Sequence, residues 1–146
     1  MPREDFVCAH RLRVRWAEVD MQKIVFNGHY LTYIDSAIAD YWRAIGLHYP
    51  EGYVERYGSD IFLRKATVEY LGSARYEDQL EVLCRVAKLG RSSMSFQFEI
   101  LRGAAELLIA AELVYVNADP ASKKAVPLPD ELRQRVLGFE KMAPAQ

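Results

Sequence analysis

The sequence predicts an α+β protein in which a curved antiparallel sheet wraps around one long central helix, with a short helix near the C-terminus. Two observations predict this class. A long stretch with apolar residues at helical spacing lies between a first strand and four later strands. The later strands follow one another through short turns, whereas a parallel pair needs a crossover of about a dozen residues or more. The four later strands are therefore expected to form antiparallel hairpins.

The first strand and the long helix are neighbours in the sequence. Residues 7–16 alternate in character, which is typical of a half-buried strand. Its two faces are predicted to hold His10, Leu12, Val14 and Trp16 on one side and Arg11, Arg13 and Arg15 on the other. Apolar residues then recur at helical spacing over residues 30–45. Gly46 follows as a C-terminal stop for this helix.

Four strands and a short helix complete the predicted order. The strands are predicted at 61–71, 80–89, 92–102 and 107–117, with no helix between them, and the last helix at 129–138. A helix as long as the central one can lie along one face of a strongly curved sheet, which is the arrangement of a hot-dog fold. Such a sheet leaves one edge open. Because natural proteins seldom leave a long edge strand unpaired, dimerisation is expected.

Length and composition restrict the class of protein. The 146 residues predict a single domain, residues 1–146, with one core. The net charge of −1 argues against a nucleic-acid partner, since no basic excess is present to release counterions. No signal peptide or apolar run of membrane-spanning length is recognised, so no membrane is expected. Cys8 and Cys84 are expected to be reduced, packed thiols, which predicts a cytoplasmic protein.

The stretch "VRWAEVDMQKIVFNGHY" leads from the first strand into the helix. It resembles the 4-hydroxybenzoyl-CoA thioesterase family of hot-dog acyl-CoA thioesterases. The family signature is an Asp, a short loop, a Val-aromatic pair and a helix-opening Tyr, which here are Asp20, Val25-Phe26 and Tyr30. The resemblance continues through "VEYLGSARYEDQLEV", "KLGRSSMSFQFEI" and "VPLPDEL", and it covers nearly the whole chain.

The resemblance implies hydrolysis of an acyl-CoA thioester at a site between two subunits. Asp20 is the implied catalytic residue, either as nucleophile or as a carboxylate that activates water. Asn27 matches the family residue whose backbone N–H polarises the thioester carbonyl, and Gly28 lies beside it. The start of a helix offers such unpaired N–H groups. A second family branch carries its catalytic Glu on the central helix, but this helix has no Glu before Gly46.

The residues around Asp20 also have structural interpretations. Asp20 itself is a common turn or cap residue. Phe26 and Tyr30 either line a pocket for the acyl group or pack in the core. His29 is a possible base, although its neighbours place it on the outer shoulder of the helix. Lys23 replaces the Gly that family members usually carry, so it either alters the loop or contacts the substrate.

A second group of candidates lies far along the chain, at the turn between two strands. Family members bind the nucleotide end of CoA at this turn, which here supplies Lys88, Arg91 and Ser92. Arginine is a suitable partner for phosphate, but a solvated polar turn is the alternative. The three His residues stand far apart, with no Cys or carboxylate at ligand spacing, so no metal site is expected.

The sequence therefore predicts a cytoplasmic acyl-CoA thioesterase that forms a homodimer or homotetramer. No metal or redox cofactor is expected, and CoA enters only as part of the substrate. Two alternatives remain, a thioesterase that acts on acyl carrier protein and a non-catalytic hot-dog module for binding or assembly. The intact Asp20 argues against the second. The sequence does not identify the acyl group.

Overall fold

The computed structural model describes all 146 residues, which form one five-stranded sheet and three α-helices. The strands are β1 (Cys8–Arg13), β2 (Asp60–Tyr70), β3 (Gln79–Leu89), β4 (Ser93–Arg102) and β5 (Glu106–Ala118). The helices are α1 (His29–Ala44), α2 (Glu51–Tyr57) and α3 (Asp130–Phe139). Two single 3₁₀ turns occupy Arg3–Asp5 and Trp16–Glu18.

The strands have the order β1-β3-β4-β5-β2, and every neighbouring pair is antiparallel. The last four strands begin and end within one residue of their predicted positions. Helix α1 packs against the sheet and ends before Gly46, whose φ of +83° suits a residue without a Cβ. The predicted hot-dog fold, with a curved sheet around one long helix, is confirmed.

The core lies between α1 and the inner face of the sheet. It contains 31 buried residues, to which α1 contributes the wide apolar side noted in the sequence. Tyr41 and Trp42 of α1 meet Phe96 of β4 edge-on, with ring centroids 5.4 and 6.3 Å apart. Aromatic packing of this kind fixes the helix on the sheet and thereby fixes where the N-terminal end of α1 lies.

The structure corrects two of the predicted elements. The first strand ends at Arg13, and Trp16 belongs to a 3₁₀ turn and is 74% exposed. Helix α2 lies between α1 and β2, where no helix was predicted. It buries only Tyr53, so its sequence shows no apolar periodicity. Its one sequence signal is Gly58, which ends the helix at a φ of +68°.

The sheet has two open edges, β1 and β2, where the sequence analysis expected one. Strand β1 is short, and its exposed face carries arginines. Strand β2 has 11 residues, and most of its side chains are exposed. Long exposed edges favour pairing with another strand, so β2 is the edge at which pairing with a strand of a second chain is expected.

An N-terminal segment, residues 1–6, crosses the outer face of the sheet. Its Phe6 packs with Leu83 and Leu101 in a small second cluster. The amino terminus pairs with Glu99 at 3.4 Å, and Arg3 pairs with Glu81. The segment therefore covers part of the outer face of the sheet, whereas α1 covers the inner face.

Candidate active site

A tight loop after β1 positions Asp20. The backbone N–H of Asp20 donates to the Ile24 carbonyl, and that of Lys23 donates to the Asp20 carbonyl, both at 2.9 Å. An isolated bridge between Val19 and Val25 closes the loop. Lys23 has a φ of +65°, the left-handed conformation that glycine adopts more cheaply. Lys23 therefore stands where family members usually carry Gly, and its backbone adopts the conformation that favours Gly.

The Asp20 carboxylate is partly used by its own loop. One oxygen, Oδ1, accepts the backbone N–H of Gln22 at 2.8 Å, which is the turn role weighed in the sequence analysis. The helix-cap role does not apply, because the residue before α1 is Gly28 and α1 has no side-chain cap. The second oxygen, Oδ2, has no hydrogen bond within the chain.

Glu18 anchors the loop that carries Asp20, and the sequence did not indicate this role. Its side chain is buried and accepts the backbone N–H of Arg15 at 2.8 Å and the hydroxyl of Tyr33 at 2.9 Å. Its backbone carbonyl accepts the N–H of Phe26 at 3.0 Å. Burial raises the pKa of Glu18, but the hydrogen bonds from Arg15 and Tyr33 outweigh burial, so its pKa is lowered. Glu18 thus holds both ends of the loop that carries Asp20.

The start of α1 leaves backbone donors free. The N–H of His29 donates to the Phe26 carbonyl at 2.9 Å, whereas the N–H groups of Asn27 and Gly28 donate to no acceptor in the chain. Such groups at a helix start carry the positive end of the helix dipole. They are suited to an oxygen on which negative charge develops.

A cavity of about 580 Å³ brings Asp20, Asn27 and Tyr30 together. Its far wall is the end of β2, where Tyr70 is 51% exposed and donates its hydroxyl to the Asn27 carbonyl at 3.2 Å. Tyr30 is buried, and its hydroxyl accepts the N–H of Ala74 at 3.0 Å. Tyr70 was not a sequence candidate. Its only signal was an apolar-polar alternation typical of any strand.

The other helix-start candidates lie outside the lining of this cavity. Phe26 and His29 lie edge-on to each other with ring centroids 5.7 Å apart. A Cβ at Gly28 would lie 3.1 Å from the ring of Phe26, so that ring covers Gly28. Of the two predicted backbone donors, Asn27 lines the cavity and Gly28 lies next to it.

Lys88, Arg91 and Ser92 lie at the opposite end of β3 from Asp20. The loop of Asp20 is tied to the segment that leads into β3, since the N–H of Val25 donates to the Ala74 carbonyl at 2.9 Å. The turn with Arg91 follows the other end of the strand. An 11-residue strand spans roughly 35 Å, so one chain does not bring the two groups together.

The turn itself has a structural role and two free side chains. The carbonyl of Ser92 accepts the N–H of Asn117 at 2.7 Å, and that of Arg91 accepts the N–H of Leu128 at 2.8 Å. The side chains of Lys88 and Arg91 are exposed and form no ion pair within the chain. They are therefore available to a ligand.

Other reactive groups lie apart from the Asp20 cavity. Cys8 and Cys84 face each other across β1 and β3 as buried free thiols. Burial raises the pKa of Cys8 to about 11, so its thiol is a poor nucleophile at neutral pH. His10 pairs with Asp40 at 2.7 Å. No three His, Cys, Asp or Glu side chains form a cluster suited to a metal ion, and no helix is both long and apolar enough to cross a membrane.

Comparison with known proteins matches this chain with thioesterases. Residues 14–136 match the model of the thioesterase-like superfamily. The acyl-CoA thioester hydrolase YbgC of Escherichia coli is 27% identical over 121 residues, which cover 83% of this chain and 89% of that relative.

Two solved structures share the fold. A 1,4-dihydroxy-2-naphthoyl-CoA thioesterase from Synechocystis has a TM-score of 0.80 at 18% identity, over 88% of this chain and 94% of that one. A thioesterase from Thermus thermophilus, solved in complex with coenzyme A and zinc, has a TM-score of 0.81 at 25% identity, over 95% and 98% of the two chains.

Proposed function

The chain belongs to the thioesterase-like superfamily and is a thioester hydrolase, and we propose that its substrate is an acyl-CoA, which it cleaves to the free acid and CoA. One observation carries the assignment of the site. The Asp20 carboxylate, with one oxygen unpaired, shares a cavity with the free backbone N–H of Asn27. A thioester seated there would meet an attacking group and an oxyanion donor together.

Asp20 acts in one of two ways, as a nucleophile or as a base. As nucleophile, its Oδ2 attacks the carbonyl carbon, the C–S bond breaks, CoA leaves as thiolate, and water then hydrolyses the mixed anhydride. As base, Asp20 takes a proton from a water that attacks the carbonyl, the C–S bond of the tetrahedral intermediate then breaks, and the protonated Asp20 returns that proton to the departing CoA sulfur. In both routes the N–H groups of Asn27 and Gly28 stabilise the negative carbonyl oxygen of the tetrahedral intermediate.

The CoA-binding role of the Lys88 to Ser92 turn requires a second chain. The open edge of β2 runs from Asp60, beside the Arg91 end of the sheet, to Tyr70, beside the Asp20 cavity. A two-fold axis that pairs β2 with its copy in antiparallel fashion brings the Arg91 end of one subunit to the Asp20 end of the other. Each site of the proposed homodimer therefore takes Asp20 from one subunit and Arg91 from its partner.

Replacement of Asp20 tests the catalytic assignment. We expect Asp20→Asn to lower kcat by about a thousandfold or more, because the N–H donors cannot supply an attacking group. The amide still accepts the N–H of Gln22, so the turn role alone would cost about 1 kcal/mol of stability or less. Thiol release is measured with aromatic, short, medium and long acyl-CoAs and with an acyl carrier protein substrate, beside the thermal midpoint.

Two results test the catalytic role of Asp20 and distinguish the nucleophile from the base. A folded Asn variant that keeps more than a tenth of the wild-type turnover contradicts the role of Asp20. With an active substrate, repeated turnover of the wild type in ¹⁸O-labelled water places the label in the Asp20 carboxylate only if the mixed anhydride forms.

A further inference from the structure

A second cavity lies on the outer face of the sheet, away from the Asp20 loop. It has a volume of about 590 Å³ and is lined by Arg3, Arg11 and Arg13 together with Gln79 and Glu81. We propose that this cavity binds a phosphoanion, either a phosphate monoester or a diphosphate. The site is separate from both the Asp20 cavity and the Arg91 turn, and its existence does not depend on the proposed function.

Strand register and the N-terminal segment bring the three arginines together. Arg11 and Arg13 lie two positions apart on β1, so their side chains share one face of the strand. In the β1–β3 ladder they lie opposite Glu81 and Gln79. Arg3 comes from the N-terminal segment and reaches the same carboxylate of Glu81.

Glu81 orients the guanidinium groups of Arg3 and Arg11 and leaves the terminal nitrogens of Arg11 unpaired. It is only 8% exposed, and its Oε1 accepts the Nε of Arg3 at 2.6 Å while its Oε2 accepts the Nε of Arg11 at 3.2 Å. Oε2 also accepts an Nη of Arg3. The terminal nitrogens of Arg11 remain without partners in the chain. A hydrogen bond from Arg3 lowers the pKa of Glu81, so the carboxylate stays charged and the arrangement persists at neutral pH.

The cavity carries an excess of positive charge. Three guanidinium groups face one carboxylate, which leaves two positive charges in the lining. The side chain of Arg13 forms no hydrogen bond or ion pair within the chain, so no partner in the fold requires its charge. The guanidinium group of Arg13 and the terminal nitrogens of Arg11 present N–H donors, whose spacing matches that of phosphate oxygens. A dianionic phosphate group would neutralise the excess.

The neighbouring β4–β5 turn connects this cavity to the Asp20 cavity. Gly103 lines the arginine cavity, and Ser73 lines the Asp20 cavity. Between them Arg102 donates to the Ser73 carbonyl and pairs with Asp78, both at 2.9 Å. Phosphate could therefore come from two sources, the nucleotide end of an acyl-CoA bound to the same chain or a free phosphate compound.

Calorimetric titration of the full-length protein with inorganic pyrophosphate tests the site. We expect binding that weakens as salt rises and that Arg13→Gln weakens about ten-fold or more, because a charge-assisted contact is lost. Since the side chain of Arg13 forms no hydrogen bond or ion pair within the chain, this change breaks neither, and an unchanged thermal midpoint verifies that. Arg43→Gln removes the same charge from α1, on the inner side of the sheet, and should leave the affinity unchanged.

Substrate kinetics then identify the source of the phosphate. If the site takes CoA, Arg13→Gln raises KM for an acyl-CoA but not for the corresponding N-acetylcysteamine thioester, and adenosine 3′,5′-bisphosphate competes with pyrophosphate. If it takes a free phosphate compound, both KM values stay unchanged while pyrophosphate binding is lost. The absence of pyrophosphate binding, or equal binding by wild type and Arg13→Gln, overturns the proposal. Because the titration measures binding without turnover, its result is independent of the result of the Asp20 test.

Discussion

A mixed dimer offers a direct test of the shared site. One subunit carries Asp20→Asn and the other carries Arg91→Ala. The two residues lie at opposite ends of β3, roughly 35 Å apart, so a single site uses both only if they come from different chains. With the two-fold arrangement proposed for β2, one site of the mixed dimer contains both changes, and the other contains neither.

The expected activity follows from this count of sites. In a dimer with Asp20→Asn in both subunits, kcat is expected to fall about a thousandfold. In a dimer with Arg91→Ala in both subunits, kcat/KM is expected to fall about ten-fold because KM rises while kcat stays unchanged. A shared site leaves half of the sites in the mixed dimer intact and gives about half of the wild-type kcat/KM. If each chain built its site alone, the mixed dimer would retain only about 5%, from the Arg91→Ala subunit.

The assay requires mixed dimers without contamination by either parent. The two variants are co-expressed with different affinity tags, purified through both tags, and assayed for thiol release at acyl-CoA concentrations well below KM. A wild-type subunit paired with Asp20→Asn serves as the control, since it gives about half activity in either arrangement. Mixed dimers at about 5% of wild type would refute the shared site, and the proposed CoA-binding role of Arg91 with it.

The open edge of the sheet, the Lys23 turn and two buried carboxylates each give a further expected outcome. At micromolar concentration the protein should have at least twice its chain mass of 16.8 kDa by light scattering, and Leu63→Glu, at a 50% exposed position on β2, should reduce the mass to that of one chain. Lys23→Gly should stabilise the fold by about 0.5–1 kcal/mol in chemical denaturation, since glycine adopts the positive φ at lower cost, whereas Lys65→Gly in exposed β2 should not stabilise it. Burial raises the pKa of Glu140 in the folded state, so its charging destabilises the fold as pH rises through that pKa. The stability of Glu140→Gln relative to wild type should accordingly increase as pH rises from below the usual glutamate pKa of about 4.3 to neutral pH, and a difference that does not change with pH would contradict the raised pKa. Tyr33→Phe, which removes a hydrogen bond to buried Glu18, should cost about 1–3 kcal/mol of stability, measured by urea unfolding, with the exposed Tyr76→Phe as a neutral control.

The fold class and the order of the main elements follow from local patterns in the sequence. Alternation along β3, β4 and β5 and the apolar spacing of α1 arise because one face of each element packs into the main core, which leaves a local pattern with a fixed period. The family resemblance pointed to Asp20 and Asn27, and both line one cavity because the loop and the helix start that hold them are contiguous in the chain. Helix α2 was missed because it buries a single tyrosine and therefore leaves no periodic signal.

Which distant residues come together depends on how the elements pack in three dimensions. Tyr70 reaches Asn27 across 43 positions, and Glu18 reaches the core hydroxyl of Tyr33. The structure also places Asp20 and Arg91 at opposite ends of β3, although the family resemblance assigns both residues to one substrate. The convergence of Arg3 with Arg11 and Arg13 depends on the strand register opposite Glu81. Contacts of this kind depend on how strands pair and where the chain returns, and these are set by the packing of the whole core, which no local stretch of sequence records.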